Sequence, residues 1–399
     1  MFVAEDMYQL GSQRSAIREL FEYGKQRAAV VGAENVYDFS LGNPTVPAPD
    51  CVNETIRDLT QKLDSISLHG YTSAQGDIET RQAIADYLNK TYETVFSADN
   101  FYLTMGAAAS LSVCFRALTT SPEDEFITIA PFFPEYRVFV EANGAKLVVV
   151  PPHTSDFQID FEALEKAISA HTKGVIINSP NNPSGAVYSK ETIQKLAALL
   201  TKKSEENGTP VFILADEPYR EIAYDGVEVP YVTKYYANTL VCYSYSKSLS
   251  LPGERIGYVA VNPTCTDADL LVPMMSQISR GIGHNCPSSL IMMGVEDVLD
   301  ETSDMTVYET NMNLLYDKLI ELGFSCVRPS GTFYIFPKAL EEDAVAFCNK
   351  ALKYDLVLVP SDSFGCPGYF RMAYCIDTEK VVRSLDALER FVKTEYPDR

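Results

Sequence analysis

Between residues 75 and 265, short apolar runs alternate with helical patterns, and each run stops abruptly at polar residues. Residues 77–92 read as an amphipathic helix, with Ile78, Ile84, Ala85 and Leu88 close to helical spacing. Residues 101–104 read as a strand that turns at Met105-Gly106 into a helix over 107–118. Strand-like runs follow at 126–129, 146–150, 174–178, 211–215 and 239–243, with helices expected over 160–170 and 189–204. Strands that are apolar on both faces and separated by helices predict an α/β fold. Its sheet is mainly parallel and flanked by helices. Beyond about residue 301 the pattern changes. Helices near 305–322 and 341–354, with strands at 332–336, 356–359 and 370–374, predict a smaller α+β unit.

Charge and cysteine usage narrow the function classes. The 33 Lys+Arg against 54 Asp+Glu leave a net charge of −21, which argues against nucleic acid and anionic membranes as partners. Nine cysteines are scattered without a CxxC pair, so packing thiols are expected rather than a disulfide framework or a zinc ribbon. Neither a signal-peptide pattern at the start nor a run of eighteen apolar residues is evident, and the expected compartment is the cytoplasm. His69, His153, His171 and His284 are isolated in sequence, and no metal site is expected.

In such sheets ligands gather outside the carboxyl ends of the strands. Those positions hold Gly106-Ala107-Ala108, Pro131-Phe132-Phe133, Asn181-Asn182-Pro183, Asp216 and Ser244–Lys247. Lysine at the end of a buried strand is costly unless its charge is paired or lost, and a desolvated lysine can form a Schiff base. The plain alternative is a surface lysine in a loop. Ser244, Ser246 and Arg255 nearby look like a phosphate cradle, to which a helix opening at Gly106 adds backbone N–H groups. Asp216 would either cap the following loop or pair with a pyridinium nitrogen. Tyr219 can offer a phenol to the same ligand, and Phe133 a stacking face, unless that phenylalanine is simply core.

These pieces together resemble the pyridoxal-phosphate-dependent class I/II aminotransferases, the aspartate aminotransferase superfamily of fold type I. Ser244-Tyr245-Ser246-Lys247, with Arg255 beyond it, resembles the family's lysine signature. Ser179-Pro180-Asn181-Asn182-Pro183-Ser184-Gly185 resembles its Asn-Pro-x-Gly loop, and Ala215-Asp216-Glu217-Pro218-Tyr219 its Asp-Glu-x-Tyr strand end. Leu41-Gly42-Asn43-Pro44, Tyr71 through Gly76, Gly331-Thr332-Phe333-Tyr334 and Phe370-Arg371 fall in family order, so the resemblance spans nearly the whole chain.

The resemblance implies a transaminase that moves an amino group between an L-amino acid and a 2-oxo acid. Pyridoxal 5'-phosphate would be carried as a Schiff base on Lys247, which then shuttles the substrate proton. It implies that Asp216 keeps the ring nitrogen charged and that Tyr219 and Asn182 bond the ring's 3′ oxygen. Ser244, Ser246, Arg255 and the backbone of Ala107 and Ala108 would receive the phosphate, while Phe133 stacks on the ring. Arg371 would clamp the substrate carboxylate, helped by Asn182 and Gly42. It further implies a large cofactor-binding domain over 48–300 and a small domain from 1–47 with 301–399. Tyr71 would reach the phosphate of the other subunit of a homodimer, and cis bonds are expected before Pro131 and Pro183. The chain departs from the family at Gly106-Ala107-Ala108-Ala109, where relatives often carry a second Gly, Ser or Thr.

Two other readings compete. A carbon–sulfur β-lyase on the same fold shares the first proton transfer at Lys247. A ligand-sensing regulator needs a DNA-binding domain, and only about forty residues precede Gly42. Arg280 lies near where dicarboxylate-specific relatives place a second arginine across the dimer interface. The alternative is a structural arginine, with selectivity elsewhere, for example around Ile17.

Overall fold

A computed structural model describes residues 2–12 and 16–397. After a two-residue strand β1 (Tyr37–Asp38), the chain builds β2 (Phe101–Thr104), β3 (Glu125–Ile129), β4 (Lys146–Val150), β5 (Thr172–Asn178), β6 (Phe212–Asp216), β7 (Thr239–Ser244) and β8 (Gly257–Val261). These last seven form one sheet in the order β2-β8-β7-β6-β5-β3-β4. All neighbours are parallel except β8, which runs antiparallel to both β2 and β7.

Period-two alternation explains how an apolar run is buried on both sides. In β6, Ile213 and Ala215 enter one apolar cluster with Ile84, Leu88 and Val175. Phe212 and Leu214 enter the opposite cluster with Phe115, Phe126 and Ile176. The flanking helices start where sequence supplies an acceptor for free N–H groups. Asp77 accepts from Glu79 and Thr80 at the head of Ile78–Tyr92, and Ser189 accepts from Thr192 at the head of Lys190–Asn207.

Four more strands follow: β9 (Tyr334–Ile335), β10 (Leu356–Val357), β11 (Val359–Pro360) and β12 (Phe370–Ala373). They form a β11-β12-β9 sheet and a β1-β10 pair, packed with the helices Thr306–Glu321 and Thr378–Glu395 around Phe39, Tyr308, Phe333, Phe347, Phe370 and Phe391. Two expectations are corrected here. The run at 332–336 is a strand over only two residues, because Thr332 adopts a left-handed φ of 62° and breaks the extended path. The run at 356–359 divides between two sheets, since Leu356-Val357 pair with β1 whereas Val359-Pro360 pair with β12.

Candidate active site

Parallel strands that end together put their following residues along one edge. Register makes this concrete: Asn178 lies beside Asp216, and Asp216 beside Cys242. Because β8 runs the other way, Gly257 at its start faces Ser244 at the end of β7, and the intervening segment arches over the same edge. Below that arch is a cavity of about 280 Å³.

Ser244 caps the short helix Tyr245–Ser248, its Oγ accepting from the Ser246 N–H. This turn aims Lys247 into the cavity, where Nζ donates to the Gly42 carbonyl at 2.7 Å. Burial pushes the amine down to about 8, the nearby guanidiniums of Arg255 and Arg371 push the same way, and Cys375 opposes them. Among the described residues no carboxylate pairs with it.

Asp216 does not cap a loop. Its Oδ2 accepts from Tyr136 Oη at 2.5 Å, and Oδ1 is buried with no partner among the described residues. Burial pushes its carboxyl up to about 7, against the Tyr136 bond that lowers it and with the neighbouring Glu217 that raises it. Asn178 ties the strand end to the next loop, donating to the Asp216 carbonyl at 2.8 Å and accepting from the Asn182 N–H at 2.7 Å. The Tyr219 phenol lies 3.2 Å from that of Tyr334.

At one end of the cavity, Gly106 opens the helix Ala107–Leu118 with φ 88°, so the free N–H groups of that helix face inward. A Cβ on Gly106 would lie 2.9 Å from Arg255 Nη2, so only glycine fits beneath that guanidinium. Arg255 itself holds a left-handed φ of 55° and donates to the carbonyls of Pro252 and Met105, both at 2.9 Å. The Ser244 and Ser246 hydroxyls stand 2.7 Å apart.

Arg371 forms another wall and is 2% exposed. Nη1 donates to Asn182 Oδ1 at 3.1 Å and Nη2 to the Ser40 carbonyl at 2.5 Å, while Nε has no partner. Rings of Tyr334 and Phe364 lie 4.6 and 5.2 Å from its guanidinium carbon. Among the described residues no carboxylate forms an ion pair with this buried cation, an expensive arrangement unless a ligand supplies one.

The cavity thus gathers Gly42, Ala107, Ala108, Phe133, Asn182, Asp216, Tyr219, Ser244, Ser246, Lys247, Arg255 and Arg371, together with Ile17. Tyr71 is fully exposed and lies outside it, as does the exposed Arg280 at the end of the helix Ala268–Gly281. Cis bonds precede Pro131 and Pro183, and also Pro180. Sequence reasoning missed Tyr136, Asn178 and the site role of Tyr334. Tyr334 stood inside a quoted motif, whereas the 80 residues between Tyr136 and Asp216 leave no local signal. Chemically, the donor cluster suits a phosphate-sized anion, the free carboxylate oxygen suits a protonated ring nitrogen, and the amine without a carboxylate partner suits a carbonyl carbon.

A family model described as aminotransferase class I and II matches residues 33–388. The probable N-acetyl-LL-diaminopimelate aminotransferase of Bacillus subtilis is 30% identical, with 90% of each chain covered. The aspartate aminotransferase of Thermotoga maritima is 29% identical over 93% of this chain and 95% of its own. A solved structure of an amino transferase from Eubacterium rectale is 61% identical, covers 98% of this chain and 99% of its own, and superposes with a TM-score of 0.96.

Proposed function

We propose a division of labour for a chain that belongs to the class I and II aminotransferase family, and so transfers an amino group between an amino acid and a 2-oxo acid. Members of that family depend on pyridoxal 5'-phosphate, and the residues around the cavity fit it. One observation supports this above the rest. Lys247, Asp216 and Arg371 face a single cavity, and each keeps charge or hydrogen-bonding capacity that the described protein leaves unused.

When bound, the cofactor supplies an aldehyde for amines to condense with and a protonated ring that draws electrons from the substrate Cα. Lys247 Nζ would hold it covalently, with the phosphate on Arg255, Ser244, Ser246 and the N–H groups of Ala107 and Ala108. Asp216 Oδ1 would hold the ring nitrogen's proton, while Tyr136 fixes the other carboxylate oxygen. Tyr219 and Asn182 would bond the ring's 3′ oxygen, and Phe133 would cover the ring face. Arg371 would take the substrate α-carboxylate, with its Nε free to donate and Asn182 and Gly42 beside it. Burial, the main cause that lowers the Lys247 amine, favours the neutral form that would take the proton from Cα at Nζ and pass it on.

A large domain over 48–300 and a small one from 1–47 with 301–399 are supported by two apolar clusters drawn only from 48–300 and a third drawn mainly from the remainder, to which Tyr219, Ile222 and Tyr224 add a seam. A homodimer with shared sites is proposed, Tyr71 reaching the partner's phosphate. Exposed Ile66, Tyr71 and Ile78, with exposed Ile282 on a stretch they meet where Thr72 Oγ1 lies 3.5 Å from Cys286 Sγ, support it. Nine free thiols favour a reducing compartment, the cytoplasm. Among the described residues, no helix is long and apolar enough to cross a membrane.

The test is the visible spectrum of the cofactor-loaded protein. An amino acid should bleach the band and a 2-oxo acid should restore it, and borohydride should fix the cofactor to Lys247. Lys247→Ala should keep cofactor non-covalently and lose turnover. Pyruvate and sulfide from cysteine without any 2-oxo acid would instead mean elimination.

A further inference from the structure

We propose that Tyr334 is a positioning residue serving two parts of the site at once, its ring supporting the Arg371 guanidinium and its phenol supporting that of Tyr219. The inference rests on the roles proposed above for Arg371 and Tyr219, and adds to them a residue that neither role requires.

Tyr334 is 3% exposed and is aimed by a strained neighbour. Thr332 holds a φ of 62°, where a β-branched residue is a genuine outlier. Such strain persists only where the surroundings over-determine it. Here they do. The Thr332 carbonyl accepts from the phenols of Tyr224 and Tyr374, and its Oγ1 accepts the Tyr334 N–H at 3.1 Å. Past this turn, Phe333 packs against Tyr308 in the core, while Tyr334 lines the cavity. A Cβ on Gly42 would collide with Tyr334 Oη, so the glycine makes room for this phenol.

The ring face lies 4.6 Å from the Arg371 guanidinium carbon, with Phe364 contributing a second ring at 5.2 Å. A guanidinium on an aromatic face keeps its charge while holding its plane. Plane matters because a carboxylate is gripped by two N–H groups only when the fork is correctly turned. The phenol, 3.2 Å from Tyr219 Oη, does a separate task. A phenol has one proton. With Tyr334 donating to Tyr219, the Tyr219 proton is free to point at the cofactor's 3′ oxygen.

Two substitutions separate these tasks in the cofactor-loaded protein. Tyr334→Phe keeps the ring and removes the phenol. The pH midpoint of the visible band should rise by about half a unit, the effect of losing one neutral hydrogen bond behind the 3′ oxygen. The amino-acid KM should stay within about twofold. Tyr334→Leu removes the ring as well, and should raise that KM about tenfold with a smaller change in kcat. A merely structural tyrosine would lower thermal stability in both variants without splitting KM from the midpoint. A Phe variant with the wild-type midpoint, or one whose KM rises as in the Leu variant, overturns the proposal. So does a Leu variant with the wild-type KM. A wild-type band that ignores amino acids overturns the underlying transaminase site as well.

Discussion

Two arginines are buried equally deeply in this protein and differ in one respect. Arg220, 4% exposed, lies behind β6 and β7 within reach of the rings of Tyr92, Tyr231 and Tyr243. Its Nε donates to Glu217 Oε2 at 2.7 Å, and Nη2 stands the same distance from that oxygen. Arg371 has aromatic company of its own, Tyr334 and Phe364, and no carboxylate among the described residues. Burial and ring packing therefore do not distinguish a structural arginine from one proposed to bind a ligand. What distinguishes them is whether the chain supplies the counter-charge itself or leaves it to a ligand.

The sharpest way to break this contrast is Arg371→Leu. It should lower kcat/KM for amino acids about a thousandfold, since a buried, hydrogen-bonded charge contact to the substrate is lost. Thermal stability of the cofactor-free variant should not fall, because an unpaired buried charge has been replaced by an apolar side chain. Arg220→Met should do the reverse. Leaving Glu217 buried without its partner should cost about 3–5 kcal/mol of folding stability in denaturant titration. If Arg371→Leu unfolds the protein and Arg220→Met spares it, the contrast fails.

Asp216 tests the same idea with the opposite charge. Its carboxyl sits near 7 in the folded protein against an ordinary 3.8, so between those values the folded chain binds a proton that the unfolded chain has released. Its contribution is fully present below about pH 4 and is lost as pH rises through about 7. Cofactor-free Asp216→Asn should therefore melt higher than wild type at about pH 8 and equally at about pH 4. Its transamination rate should fall about a hundredfold, as when one preorganised electrostatic contact is removed. The smallest effect concerns Arg280, which is exposed and has no ion-pair partner among the described residues. If the partner subunit's cavity receives it, Arg280→Ala raises the KM for aspartate about tenfold relative to alanine. Equal losses for both amino acids would return selectivity to residues such as Ile17 in the cavity wall.

Legibility followed the range of the interactions. The strand ends were readable because each is local: an apolar run, then Asp216, Ser244 or Asn182. The bounds of 101–104 and 107–118 agree with the structure to the residue. β8 escaped notice although Gly257-Tyr258-Val259-Ala260-Val261 is apolar, because it inserts antiparallel between β2 and β7 with no helical crossover to announce it. In the C-terminal part, strands of two to four residues choose partners from other parts of the chain, and periodicity carries no information about that choice. Tyr136 and Asn178 support Asp216 from distant segments, so only the folded chain brings them into view.

The reversed direction of β8 has a mechanical consequence. Residues 245–256 leave β7 at Ser244 and rejoin its immediate neighbour at Gly257, so both anchors of the arch are clamped side by side in the sheet. Lys247 stands near one anchor and Arg255 near the other. A segment pinned this way surrendered its freedom when the sheet formed, and an arriving molecule has little left to freeze. Its span is a fixed gauge rather than an adjustable loop. Inserting even one residue there would change the separation of amine and guanidinium, whereas the outward turn at 151–157 could lengthen without touching either.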